Sequence, residues 1–375
     1  MNLPKNIFLF SVLIFIFAAN VFLAVTFFNS KNKAVFGFDV IRGIGEVDKE
    51  KTSMKKNAQN MKMSAESVSI LFAGDLMLDR YNRTIMDRNG ADFFTQEIGE
   101  VFLKNDLNIL NLEGPVTSNQ SVSLNTEVGE AGHFKFTFDK ENTKKFLAQN
   151  RINTVNLGNN HILNFGESGA QETIDFLKEN GVEYFGSPLD DKNAYIEKNI
   201  NGLKIALVSY NRFYKLGSEN TVNKIKDAKG KNDIVIVYTH WGNEYELVQS
   251  EIQTSIAHSF IDNGADLIIG SHPHVVQPIE IYKNKVIFYS LGNFVFDQFF
   301  SEDVKNELVV SASLSKEKIE FVLVPIYRKP DGSLELSDEN KRQNLLGRLA
   351  EDSIAPESLR EKIKTGKFEM DSIAR

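Results

Sequence analysis

Residues 264–274 read GADLIIGSHPH, and how this stretch is read decides the fold. A short apolar run, LII, ends in Gly270 and then presents Ser271, His272, Pro273 and His274 in succession. Continuous apolar runs of this length mark strands buried on both faces, and in an open α/β sheet the ligand site lies beyond the carboxyl ends of such strands. The same order recurs along the chain. Residues 68–73 end in Gly74-Asp75, 107–112 close on Asn111-Leu112-Glu113-Gly114, and 154–157 lead to Asn159-Asn160-His161. Residues 234–239 end in His240-Trp241-Gly242-Asn243-Glu244, while 203–209 and 286–289 are two further runs. Helical patterns separate several of them. One covers 168–180, with Ile174, Phe176 and Leu177 on one side and Gly181 just after it; another covers 249–263, before Gly264. This alternation predicts an α/β domain. Residues 308–336 change to strand alternation around the turn Lys329-Pro330-Asp331-Gly332, which predicts an antiparallel piece in the same domain. Residues 338–375 read as two charged helices.

Four of the six histidines fall at these strand ends. Asp75 and Glu113 supply hard oxygen, Asn160 an amide oxygen, and His240, His272 and His274 imidazole nitrogen, a mixed shell suited to Zn, Mn or Fe. A carboxylate in such a shell can bridge two ions. Pro273 predicts an extended His272, so that residues 272 and 274 project to the same side. Each residue taken singly is equally at home in turn chemistry: Asp75 as a helix cap, Asn159 and Asn160 as left-handed turn residues, any one histidine as a hydrogen-bonded loop residue. Convergence of five strand ends on ligand-type residues is what favours a site.

Composition narrows the rest. With 375 residues, 42% hydrophobic and 25% charged, the chain has enough apolar material for a large core. The absence of cysteine excludes disulfides, thiolate metal sites and a cysteine nucleophile. A net charge of −7 with scattered Lys and Arg gives no footprint for nucleic acid. Residues 7–28 (IFLFSVLIFIFAANVFLAVTFF) carry no charge over a length that spans a bilayer core, and they predict a transmembrane anchor. The rival, a cleavable signal peptide, has a shorter apolar stretch. Residues 29–66, rich in Lys, Asn and Ser, read as a flexible stalk. Lys31, Lys33 and Arg42 follow the span and Lys5 precedes it, a positive-inside count that mildly favours a cytoplasmic body.

The stretches LFAGDLMLDR (71–80), NLEGPVT (111–117), VNLGNNHILNFGESGAQETIDFLKENGVEYFG (155–186), IVIVYTHWGNEYE (234–246) and GADLIIGSHPHVVQPIEIYKNKVIFYSLGNFVFDQ (264–298) resemble, in this order, the CapA family of poly-γ-glutamate capsule synthesis proteins. That family is similar to calcineurin-like metallophosphoesterases. The resemblance implies a four-layer α/β/β/α sandwich over residues 67–327, with 328–375 as a C-terminal hairpin and charged helical tail. It also implies one or two divalent ions, with Asp75 in the first ligand motif, Glu113 as the bridging carboxylate, Asn160 as the amide ligand, and His240, His272 and His274 completing the set. His161 matches the outer histidine that assists a leaving group. Asp79, Arg80, Asn159, Trp241 and Glu244 are implied neighbours of the site.

Three positions depart from the pattern. Met77 stands where metallophosphoesterases carry a histidine, Glu113 replaces an aspartate, and Asn164 stands where CapA proteins commonly carry an aspartate behind the motif histidine. Met77 is a poor ligand for a hard ion, and Asn164 cannot tune the imidazole by charge. The resemblance therefore implies a membrane-anchored protein of capsule biosynthesis or export that handles an anionic polymer beside polyglutamate synthetase membrane subunits. The alternatives are a metal-dependent phosphoesterase acting on an envelope substrate, and a scaffold. On topology the resemblance places the body outside the cytoplasm, against the small charge difference.

Overall fold

The computed structural model describes residues 67–189, 195–214 and 217–371. The predicted anchor at 7–28 and stalk at 29–66 lie outside the described residues. Among the described residues no helix is long and apolar enough to cross a membrane.

The body begins with β1 (Val68–Leu76), α1 (Arg80–Asn89), β2 (Leu107–Leu112), α2 (Lys140–Gln149), β3 (Thr154–Asn156), α3 (Gly166–Glu179) and β4 (Glu183–Phe185). A second alternating series follows: β5 (Tyr195–Ile200), β6 (Leu203–Asn211), α4 (Ser218–Lys229), β7 (Ile234–His240), α5 (Glu251–Asp262), β8 (Leu267–Ser271), β9 (Ile279–Tyr282) and β10 (Lys285–Phe288). The chain then returns through β11 (Asn293–Val295), α6 (Glu302–Lys305), β12 (Asn306–Leu314), β13 (Lys318–Arg328) and β14 (Leu334–Leu336), and ends in α7 (Glu339–Asp352), α8 (Glu357–Thr365) and β15 (Lys367–Asp371).

Two sheets result. The first runs β14-β13-β12-β1-β2-β3-β4, with β11 beside β1 and β15 beside β13; the second runs β5-β6-β7-β8-β10-β9. Strands β1 to β4 are mutually parallel, as are β6, β7, β8 and β10. The period of two along each strand shows how the layers stack. Val68, Ile70 and Phe72 of β1 share one core with Leu203, Ile205, Ile234 and Ile236 of the second sheet. Leu71 and Ala73 point the other way, into a core with Ile85 of α1, Phe146 of α2 and Ile174 of α3. Likewise Val208, Val235 and Val237 pack outward against Ile225 of α4 and Phe260 of α5. Three cores thus separate helices, sheet, sheet and helices, a mixed α/β arrangement that fits the metallophosphoesterase-like sandwich.

Two sequence expectations need correction. Residues 338–375 are more than charged helices: β15 pairs antiparallel with β13, Phe321 facing Phe368. Leu345, Leu346 and Leu349 of α7, Ile363 of α8 and Phe368 are buried in the core between the sheets, so this segment is built into the body. The second correction is His272, whose φ is 96° rather than extended; His274 is also left-handed, at 59°. Pro273 disfavours only the helical region for the residue before it. The bend is imposed by two bonds, from the His272 N–H to Asp75 Oδ2 (2.9 Å) and from the Tyr245 N–H to Pro273 O (2.8 Å). Left-handed backbone at non-glycine residues costs on the order of 1–3 kcal/mol each and clusters at functional sites.

Candidate metal centre

Two glycines let the ligand-bearing strands approach their neighbours. A Cβ on Gly74 would lie 1.9 Å from Gly292 O, and one on Gly270 would lie 1.9 Å from Tyr289 O. Side chains are therefore excluded one residue before Asp75 and one before Ser271. Beyond these points the strand ends converge.

Asp75 is fully buried, with Oδ1 accepting from Asn111 Nδ2 (2.7 Å) and Oδ2 from the His272 N–H. Glu113, also fully buried, stands one residue past β2, and its Oε1 has no hydrogen-bond partner. That oxygen lies 3.9 Å from His240 Nε2 and 3.8 Å from His274 Nε2. Burial holds all three strand-end imidazoles below their ordinary pKa, His272 at about 4 and His240 and His274 in the same direction. They are neutral at pH 7.

His240 meets the Ser271 hydroxyl (3.0 Å) and Asn111 Nδ2 (3.3 Å) at Nδ1, and Asn160 Oδ1 (2.8 Å) at Nε2. The hydrogen bonds fix the tautomer of His274. Asn293 spends its amide hydrogens on Gln298 Oε1 and Val304 O, leaving Oδ1 to accept from His274 Nδ1 (2.9 Å). His274 Nε2 is left as a lone pair on the Glu113 side. A lone pair on His274 beside a buried carboxylate oxygen that itself lacks a donor suits a cation.

The carboxyls say the same. Burial raises Asp75 to about 6, against lowering by its hydrogen bonds, and raises Glu113 well above its ordinary range, with Asp75 as the next cause. Two desolvated acids side by side are costly until a positive charge joins them. Three overlapping donor groups have atoms within 4.8 Å of one another: Glu113 with His240 and His272, Asp75 with Glu113 and His274, and exposed Glu244 with His272 and His274. Glu113 belongs to two of them, so these buried groups could hold a metal ion. His272 Nδ1 is a further buried atom without a partner.

The other residues singled out in the sequence take different places. His161 Nδ1 lies 3.1 Å from Asn164 Oδ1, which also accepts the Phe136 N–H (2.8 Å). That oxygen assignment makes Nδ1 the donor and leaves Nε2 without a proton, while burial lowers the ring's pKa to about 4. Asn164 thus orients His161 but does not charge it. Asp79 accepts from Ser123 Oγ and the Thr137 N–H (both 2.8 Å), tying down the 117–137 loop. Arg80 is spent on Asp297 and on His133 Nε2 (2.9 Å), its guanidinium 4.9 Å from the Phe136 ring centre. Asn159 braces the turn before His161, its Oδ1 accepting from the N–H groups of residues 161 and 162. Trp241, an implied neighbour of the site, is fully buried and donates to Tyr289 O (2.9 Å) on the α4/α5 side of the second sheet. Met77 accepts the Asp79 N–H on sulfur (3.1 Å) and belongs to the core.

Asn111 and Ser271 stand in the strand-end stretches without an assigned role, and Asn293, Asp297 and His133 were missed. Only the fold shows that the first three contact Asp75, His240 and His274 and the last two hold Arg80.

The family described as "Bacterial capsule synthesis protein PGA_cap" matches residues 69–298, which include every strand end in the cluster. The chain belongs to the PGA_cap family. The PGA biosynthesis protein CapA of Bacillus subtilis is 31% identical over 330 residues, covering 82% of this chain and 83% of that one. The capsule biosynthesis protein CapA of Bacillus anthracis is 31% identical over 264 residues, 65% of this chain; the chain spans 63% of that relative's length. In this PGA_cap chain Glu113, at the centre of the cluster, and the neutral His161 are the two residues whose chemistry separates cation binding from acid catalysis.

Proposed function

We propose that this chain is a membrane-anchored component of capsule or poly-γ-glutamate biosynthesis or export whose body holds anionic polymer groups at a divalent-metal centre. The observation that carries this reading is Glu113 Oε1, buried without a hydrogen-bond donor, with the Nε2 atoms of His240 and His274 both within 4 Å. Asp75, Glu113, Asn160, His240, His272 and His274 would hold one or two ions, with Glu244 at the rim. A mixed oxygen and imidazole set suits Mn, Zn or Fe. Such an ion supplies a positive charge that attracts carboxylate or phosphoryl oxygen. The residues contribute orientation: Asn111 aims Asp75, Ser271 and Asn160 hold the His240 ring from its two nitrogens, and Asn293 sets the tautomer of His274.

His161 favours binding over hydrolysis. A leaving-group acid needs a proton to give, and this ring is neutral at pH 7 with its Nε2 unprotonated. In this reading Nε2 accepts a hydrogen bond from a ligand donor such as a polymer amide. A metal-dependent phosphoesterase acting on an envelope substrate, with His161 as its acid, is the second reading; the sharing of Glu113 between two donor groups favours it. Residues 7–28 form the single-pass anchor in the cell membrane, 29–66 the tether, and the body lies outside the cytoplasm beside polyglutamate synthetase membrane subunits.

The test uses full-length chain in detergent, loaded with Mn or Zn. Binding of oligo-γ-glutamate that disappears on metal removal, with phosphomonoesters and phosphodiesters left intact, is the expected result. Ester turnover that is lost in His161→Ala while metal stays bound would establish the second reading instead.

A further inference from the structure

Two arginines, Arg80 and Arg212, differ in what they are free to do. Arg80 is committed to Asp297 and His133. Arg212 is exposed and has no ion-pair or side-chain hydrogen-bond partner among the described residues. Its backbone is fixed against the site, the N–H donating to His240 O (3.1 Å). Phe213, next to it, is 47% exposed yet lays its ring edge 4.6 Å from His272 and 5.9 Å from His240, centre to centre. The Phe213 N–H donates to Asn211 Oδ1 (3.0 Å), which holds this turn.

We infer that Arg212 and Phe213 form a second subsite that binds the neighbouring anionic group of a polycarboxylate, Arg212 pairing with the carboxylate and Phe213 covering the aliphatic spacer. This rests on the proposed binding of an anionic polymer at the metal centre and names how a polymer differs there from a single anion. A planar guanidinium without an acidic partner is matched to carboxylate geometry, and an exposed aromatic ring beside it offers apolar surface for methylene groups. One carboxylate at the metal centre and the next on Arg212 makes the site a reader of repeats. Ligands with two or more linked carboxylates then bind more tightly than monomers through effective concentration.

The experiment is calorimetric titration of the full-length, Mn-loaded chain with acetate, with oligo-γ-glutamate and with a glycerol-phosphate oligomer of equal charge. Wild type, Arg212→Gln and Arg212→Lys are compared, and Mn affinity is measured separately for each. Arg212→Gln is expected to weaken the oligo-γ-glutamate complex about fivefold, the range of a partly exposed ion pair, and to leave acetate and Mn binding unchanged. Arg212→Lys should recover part of the loss. Equal oligomer affinity in wild type and Arg212→Gln would overturn the subsite while leaving the metal-centre reading intact. No oligomer binding by Mn-loaded wild type would overturn both. Tighter binding of the glycerol-phosphate oligomer would overturn the assignment to carboxylate.

Discussion

The first sheet buries charge in two places, and the two are built differently. At the strand ends, Asp75 is aimed by hydrogen bonds, and Glu113 Oε1 lies within 4 Å of Nε2 of both His240 and His274. Farther along the sheet, Glu307 of β12 and Arg328 of β13 are also fully buried and opposite in charge, with Arg328 set among Phe94, Phe299 and Asn82. Glu307 has neither oxygen hydrogen-bonded, and Arg328 Nε and Nη1 are likewise without partners. Burial pushes Glu307 well up and Arg328 down to about 10. Both regions pay for desolvation, but after burial the chief influence on Glu307 is the Arg328 cation, whereas on Glu113 it is the second acid, Asp75. The strand-end cluster sets two acids among neutral imidazoles.

Substitutions should split the two regions. Glu113→Gln removes an acid that is costly in the metal-free chain, so thermal unfolding should show unchanged or higher stability while metal affinity drops roughly a hundredfold or more. Glu307→Ala strands Arg328, and denaturant unfolding should show a loss of about 3 kcal/mol with metal affinity unchanged. If Glu113→Gln instead destabilises the metal-free chain as Glu307→Ala does, the two sites are the same kind of object and the contrast fails.

Acid sharpens the comparison further. Asp75 titrates near 6 and Glu113 is raised in the same direction, whereas His272 stays neutral down to about 4 and His240 and His274 are lowered as well. A raised carboxyl holds a proton that metal must displace. The Asp75 contribution to metal affinity should therefore be full above pH 7 and be lost about tenfold per unit as pH falls below 6. A midpoint set by histidine protonation at its ordinary 6.5, retained in Asp75→Asn, would show that the carboxyls do not govern binding. The smallest effect is expected at Trp241. Trp241→Phe loses the bond to Tyr289 O and should cost about 1 kcal/mol of stability, with metal affinity unmoved in the same titration.

Much of this was legible in the sequence because buried strands announce themselves as apolar runs and site residues follow their ends. Asp75, Glu113, Asn160, His240, His272 and His274 were placed on that ground, and the fold brings them together. Other features were hidden for physical reasons. KFEMD alternates as a strand should, yet five residues after two charged helices are too few to distinguish β15 from a tail. The turn at His272 depends on Asp75, 197 residues away, so no local pattern carries it. Trp241 directly follows a ligand-type histidine but faces the opposite side, as strand alternation demands. Asp297 and His133 matter through Arg80 alone, and nothing in their neighbourhood along the chain points to it.

The central claim is that the strand-end cluster exists to hold a cation. Elemental analysis of the full-length chain, dialysed against Mn or Zn at pH 7.5 and followed by thermal unfolding with and without metal, tests it most directly. The account predicts one or two bound equivalents and a rise in Tm that Glu113→Gln abolishes. A folded chain that binds no metal at millimolar concentration and shows no shift in Tm would contradict it.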